Sequence, residues 1–414
     1  MSQMLDAHAR ENGTKFLIYA QDKTVPGFEE PEVVYINIPP GTIKAGPEDD
    51  RLYVVDALNK KEFGSEESPP FRYRYVGPHN PAVQPNSQGH FDHLRPGERA
   101  FSAATMYATV RRVLEIWEDY FGRKIPWPWS SDIPKLLLIP LVEFQNAWSS
   151  PAGFLEFGSP TGGPENPYCE NFDVLAHELG HTIKNSIIGI PSRSNRTDEY
   201  DGHHEAFGDL VSIVSCLHFN SVVDHLLNST KGNLFSRNEL ARVGELKNGR
   251  EIRLAFNDKK MRGISREEHA LSEPFTGGAF DILVEIFQRN LIERDLISQE
   301  LGDLSFNADG NHIPGVQEKF TDKYQGKEAE FKDALLDARD KFGKLMATAW
   351  SNMSKDHLHY GKVLGNILEA DRQLYNGKYK DTIRACFDWR GITTETMLEP
   401  LQFQIHVVDE LVTI

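Results

Sequence analysis

The stretch FDVLAHELGHTIKNSI, residues 172–187, carries the densest chemistry in the chain. His177 and His181 are four positions apart within it. On a helix, positions i and i+4 share a face, so both imidazoles can point at one ion. Zinc accepts neutral imidazole nitrogen at about 2.0–2.1 Å and needs further ligands to reach four. Glu178 sits about 100° round the helix from His177. That is a poor place for a third ligand and a good place beside an activated water, which is the general-base position of an HExxH pattern. Two solvated histidines on a surface helix are the plain alternative. Phe172, Leu175, Leu179 and Ile183 argue for a packed helix instead, because they form an apolar face.

A second segment, DGHHEAFGDLVSIVS, follows at residues 201–215. Glu205 and Asp209 are again spaced i, i+4 on one face. Glu205 lies 205 − 181 = 24 residues after His181, enough for a loop and a returning helix. Its carboxylate would complete a site of two histidines and one glutamate, with one position open to water. Asp209, one turn on, would accept the second ring N–H of a ligand histidine and fix its tautomer. A helix cap or salt bridge is the bland reading of these carboxylates. His203 and His204 adjoin Glu205 and compete with it as donors.

The elements that must position these groups fall into two regions. FLIYA, VVYINI, RLYVVDA and FRYRYV, all within the first ~95 residues, are rich in β-branched and aromatic residues and separated by Gly/Pro turns. Met106, Val110, Val113, Leu114, Trp117 and Phe121 recur at three- and four-residue steps, which predicts a helix over about 100–121. LLLIPLVEF reads as a strand that Pro140 places at an edge or a bend. Beyond about residue 170 the pattern is helical, with helices expected at 173–187, 205–217, 277–294, 328–351 and 358–375. The fold class expected is α+β, with a β-rich N-terminal lobe at 1–170 and a helical catalytic lobe at 171–414. The site would lie in the cleft between them.

Composition sets outer bounds. The 414 residues include 45 basic and 61 acidic side chains, a net charge of −16. Such a chain repels phosphate and is a poor general binder of nucleic acid or anionic membrane. No apolar run reaches the 18 residues of a membrane span. The 3 cysteines, Cys169, Cys216 and Cys386, are odd in number and widely spaced, which argues against a disulfide framework. With no basic-then-apolar leader at the N-terminus, a cytoplasmic location is the expectation, with non-classical export as the exception.

The two motifs together resemble the thermolysin-like zinc metallopeptidases, the gluzincin group with HExxH followed by ExxxD. The similarity spans roughly residues 50–290. Asn146-Ala147-Trp148 resembles the family's edge strand, which implies that Asn146 and Ala147 align a peptide by β-addition. IRLAFND resembles its Arg-containing segment and makes Arg253 a candidate for holding the substrate carbonyl. EEHALSEPFTGGAFDIL resembles its second catalytic histidine segment. This implies that His269 donates to the oxyanion rather than ligating metal, with Glu267 or Glu268 as its carboxylate partner. The family's phenol donor has no clean counterpart; Ser192 falls near its place and Tyr200 is the candidate. Asp173 matches a calcium ligand, but Cys216 stands where a partner carboxylate is expected. A thiol is a poor calcium ligand, so the family's double calcium site should be lost or reduced. The tail beyond about residue 295 is longer than the family's, and the sequence assigns it no task. The family is secreted with a signal and a propeptide, and neither is visible here.

The resemblance implies a zinc metalloendopeptidase acting on peptide or protein, with Glu178 as general base. Two other readings stay open. One is a zinc hydrolase on a single specialised peptide or amide. The other is a zinc-stabilised binding protein without turnover.

Overall fold

Helix α1 (Ser2–Asn12) leads into strands β1 (Thr14–Ile18) and β2 (Glu32–Ile36), which pair antiparallel. β3 (Leu52–Val54) precedes the long helix α2 (Arg99–Phe121). After it come β4 (Leu136–Ile139), β5 (Ala147–Ser150) and β6 (Phe154–Phe157). These join β3 in one mixed sheet of order β3-β4-β6-β5, so β5 is an edge strand, antiparallel to β6. The computed structural model describes residues 2–64, 75–129, 133–162, 166–236, 238–247, 250–307 and 315–395.

Helices dominate from there. α3 (Phe172–Ile187), α4 (Asp198–Cys216) and α5 (Asn220–Thr230) are followed by a hairpin of β7 (Arg242–Lys247) and β8 (Arg250–Leu254). Then come α6 (Glu268–Glu293), α7 (Gln299–Asn307), α8 (Val316–Tyr324), α9 (Glu328–Ser351), α10 (Tyr360–Tyr375) and α11 (Lys380–Asp388). The protein is α+β, about half helix with small sheets.

Local chemistry starts the two motif helices. The Asn171 side chain accepts from the Asp173 and Val174 amides and opens α3. Thr197 accepts from the Tyr200 amide and opens α4, whose first turn carries Asp198, Glu199 and Asp201 at the positive end of the dipole. α4 therefore begins seven residues before Glu205, where the sequence placed its start. α6 likewise begins at Glu268, not 277, because the Glu267 side chain caps it by accepting from the Ala270 amide at 2.8 Å.

Three other expectations change. Of the edge or bend expected at Pro140, the edge is overturned: β4 lies between β3 and β6, is fully buried, and stops at Ile139 before the proline. FRYRYV falls mostly outside the described residues. Helix α1 and the β7–β8 hairpin were not anticipated. Six of the eight described strands precede residue 170, but α1 and α2 give that stretch more helix than strand, and the main core crosses residue 170 unbroken. Trp117 of α2 packs on Trp350 of α9 with ring centroids 5.1 Å apart and donates to Ser215 Oγ of α4 at 3.1 Å. The three cysteines are buried and free. Among the described residues, no single helix is long and apolar enough to cross a membrane.

Candidate metal centre

The site begins with a close helix crossing. A Cβ added to Gly180 of α3 would lie 2.7 Å from the Gly208 Cα of α4. A Cβ on Gly208 would lie 2.7 Å from His177 Nδ1. Real Cβ atoms do not approach so closely, so glycine at both positions lets the two backbones meet. The apolar faces hold them there. Phe172, Leu175, Leu179 and Ile183 on α3 and Phe207, Leu210 and Val214 on α4 are all fully buried.

At that crossing, the carboxylates of α4 reach the histidines of α3. His177 Nε2 is 3.4 Å from Glu205 Oε2, and His181 Nε2 is 3.6 Å from Glu205 Oε1. His177 is fully buried, and its Nε2 has no group in hydrogen-bond geometry among the described residues. Two ligands held at about 2.0–2.1 Å in tetrahedral geometry stand ~3.3 Å apart. The separations observed match that spacing within a few tenths of an ångström. The donor set of two imidazoles and a carboxylate is also the set that suits zinc.

Behind this layer, His177 Nδ1 lies 2.9 Å from Asp209 Oδ1, and Asp209 Oδ2 accepts from Thr276 Oγ1 of α6 at 3.3 Å. Asp209 has no exposed surface. Burial alone would depress the His177 pKa, but the carboxylates of Asp209 and Glu205 outweigh it and hold the imidazole well above its ordinary range. His181 has no such support. Burial pushes its pKa down to about 3, against the pull of Glu205, so its nitrogen stays a neutral lone-pair donor. Glu178 is buried, and one of its oxygens lies with a nitrogen from each of His177 and His181 inside a 4.8 Å group.

His269, at the start of α6, approaches the same glutamate. Its Nε2 is 3.4 Å from Glu205 Oε2 and its Nδ1 is 2.5 Å from Glu267 Oε1. Glu205, Glu268 and His269 form a second group within 4.8 Å. His269 therefore stands at the same carboxylate that faces both imidazoles of α3. The edge strand β5 runs beside α3, and Ser149 Oγ is 2.8 Å from Thr182 Oγ1 one residue after His181. Ala147 opens β5, and the Asn146 carbonyl just before it accepts from the Gly158 amide at 2.9 Å.

Other expected members are placed elsewhere. Tyr200 does not offer its hydroxyl to the cluster; it donates to the Gly189 carbonyl at 2.9 Å, and burial raises its pKa. Ser192 is exposed and pairs with Ser194. Arg253 lies on β8 opposite Val243, and its side chain is outside the described residues. His203 is fully buried and packs T-shaped with Phe207 and Phe275, at 6.1 and 5.3 Å. Asp173 accepts from Ser212 Oγ at 3.2 Å, and Cys216 is buried beside it with its thiol pKa raised. Neither belongs to a metal-holding group among the described residues. Gly180, Gly208 and Thr276 were missed as site residues. A glycine at the same helix face in each motif was the available signal for the first two.

No protein-family model matches the sequence, and no curated protein matches it. Among solved structures, the chain is similar to the precursor of protealysin, a metalloproteinase from Serratia proteamaculans, at 14% identity and a TM-score of 0.35. The alignment covers 70% of this chain and 90% of that one. A likeness this shallow carries no argument about chemistry.

Proposed function

We propose that the chain is a zinc-dependent peptidase whose ion is held by His177, His181 and Glu205. The observation that carries the reading is the pair of N···O separations, 3.4 and 3.6 Å, from two imidazoles to the two oxygens of one carboxylate. A zinc ion held there would polarise a water and the substrate carbonyl. Glu178, buried beside both histidines, takes the proton from the attacking water and delivers it to the leaving amine. His269, oriented through Nδ1 by Glu267, donates from Nε2 to the negative charge that develops on the carbonyl oxygen. The β5 edge gives an extended peptide a strand to pair with, bringing Asn146 and Ala147 alongside it. Arg253 is the proposed group for the substrate carbonyl on the leaving side. In this reading, residues 1–170 form the β-rich side of a two-lobe peptidase and 171–414 the helical side. The preference for endopeptidase action, with an apolar residue after the scissile bond, rests on the family resemblance alone.

Digestion of a peptide library by zinc-loaded protein, by chelated protein, and by chelated protein given zinc again tests the reading. New cleavage products that vanish with the chelator and return with zinc are expected. A zinc-loaded protein that cuts nothing in the library would sink the broad peptidase reading and leave a single specialised substrate or a binding role.

A further inference from the structure

The two histidines proposed to hold zinc are supported in different ways. His177 has Asp209 at its second nitrogen. The corresponding atom of His181, Nδ1, is buried and has no hydrogen-bond partner among the described residues. Something else must fix the rotation of the His181 ring, because a ligand nitrogen a few tenths of an ångström astray loses affinity.

The His181 ring lies face to face with His204, centroids 4.1 Å apart and planes 17° from parallel. Tyr200 in turn lies nearly parallel to His204, at 6.3 Å and 15°. That end of the stack is anchored twice: the Tyr200 hydroxyl donates to Gly189, and Lys184 Nζ donates to the Tyr200 carbonyl at 2.8 Å while standing 3.6 Å from its ring. His177 lies nearly perpendicular to His181, with centroids 4.6 Å apart and planes at 85°. His181 thus has one aromatic ring parallel to it and another perpendicular to it.

The same geometry removes His204 from the ligand set. An imidazole lone pair lies in the plane of its ring, and a ligated metal must sit close to that plane. Planes about 4 Å apart and inclined by only 17° intersect on the order of 10 Å away, far beyond a ~2 Å metal–nitrogen bond. His204 and His181 therefore cannot share an ion. We infer that His204 is a positioning residue: through the face of its ring, not through a nitrogen, it holds His181 in the ligating orientation.

This inference rests on the zinc reading above, and the test separates the two. Zinc affinity is measured by competition with a chromophoric chelator for the parent, His204→Leu and His204→Phe. Thermal unfolding of the metal-free proteins is followed alongside. The visible spectrum of each cobalt-substituted protein reports ligand geometry. Loss of the flat face in His204→Leu should weaken zinc binding about 10–100-fold, the usual effect of removing a group that orients a ligand, and alter the cobalt spectrum. His204→Phe keeps a flat ring and no nitrogen, and should restore parent-like affinity and spectrum. Equal affinity in His204→Leu and the parent would overturn the inference. So would a Phe variant that binds as weakly as the Leu variant, since that would assign the role to a nitrogen. If His204→Leu fails to fold, the Phe variant alone decides: folded with parent-like affinity supports the inference, and folded with weak affinity overturns it. A parent that takes up no zinc overturns the metal site itself and this inference with it.

Discussion

Replacing Asp209 by Asn isolates the contribution of one buried charge to the candidate centre. Asp209 has no exposed surface and sits 2.9 Å from His177 Nδ1, so solvent screens the contact little. With metal on Nε2, the Nδ1–H donates to an ionised carboxylate, a bond worth about 1.5–3 kcal/mol against about 0.5–1.5 for a neutral acceptor. The difference is about 1–1.5 kcal/mol, or roughly five- to tenfold in zinc affinity. Asp209→Ala leaves both Nδ1 and Thr276 Oγ1 without this partner and should cost more, about 1–3 kcal/mol.

The pH dependence sharpens the test. The two carboxylates raise the pKa of metal-free His177. Below that raised pKa, zinc must displace a proton from His177, so apparent affinity falls in acid. Asp209→Asn lowers the His177 pKa and relieves part of that competition. The affinity lost should therefore be largest on the alkaline side and shrink as the pH falls. Metal-free stability moves the same way. A raised pKa gives stabilisation that is complete below the unfolded value of about 6.5 and is lost as the pH rises through the folded value. The metal-free parent should lose that stability with rising pH, and Asp209→Asn should show a flatter profile. Chelator-competition titrations at several pH values, with denaturant melts of the metal-free proteins, measure both effects. Parent-like zinc affinity for Asp209→Asn at alkaline pH, or an affinity ratio independent of pH, would refute the reasoning.

Three further outcomes are expected. Glu178→Gln should keep zinc by elemental analysis and lose on the order of 10²–10⁴ in kcat, because the amide cannot accept the water's proton. Equal kcat would remove Glu178 from that role. Gly208→Ala should disturb both helix packing and metal binding, since its Cβ would fall 2.7 Å from His177 Nδ1; overpacking of this kind costs about 1–3 kcal/mol, read as a lower melting temperature and weaker zinc uptake. Selective removal of calcium with zinc retained should barely change the melting temperature, because Asp173 faces Ser212 and a buried thiol; a large drop would reveal an oxygen-rich site elsewhere.

The motif helices were legible in the sequence because their chemistry repeats at helical spacing. His177 and His181, then Glu205 and Asp209, each lie four apart on an apolar-backed helix, and the structure brings all four together. Helix starts were less legible. α4 and α6 begin at side-chain caps, Thr197 and Glu267, that precede the apolar repeat by most of two turns or more. Pro140 misled because a proline just past a strand end leaves the strand free to be interior. Tyr200 was chosen as the nearby phenol, and a residue's distance along the chain does not say where its hydroxyl points. The stack of His204 on His181 was invisible for the same reason: both could be read as donors from sequence, and only the ring planes distinguish them.

The packing also bears on what an ion would be for. A structural zinc closes a fold that lacks a core of its own, and its removal unfolds the chain. Here the helices that carry the proposed ligands are packed through aromatic and backbone contacts. Phe207 of α4 stacks on Trp350 of α9 at 3.8 Å, and Phe172 of α3 packs edge-on against Phe219 at 5.0 Å. The crossing at Gly180 and Gly208 is set by backbone contact. Packing of this kind accounts for where α3 and α4 sit, so an ion at His177, His181 and Glu205 would not have to supply the fold. Binding energy that is not spent on folding the site remains available to hold a reactive open position. That logic favours a catalytic over a structural ion, and it gives Glu178, a buried carboxylate beside two imidazoles, a task that a purely structural site would not supply.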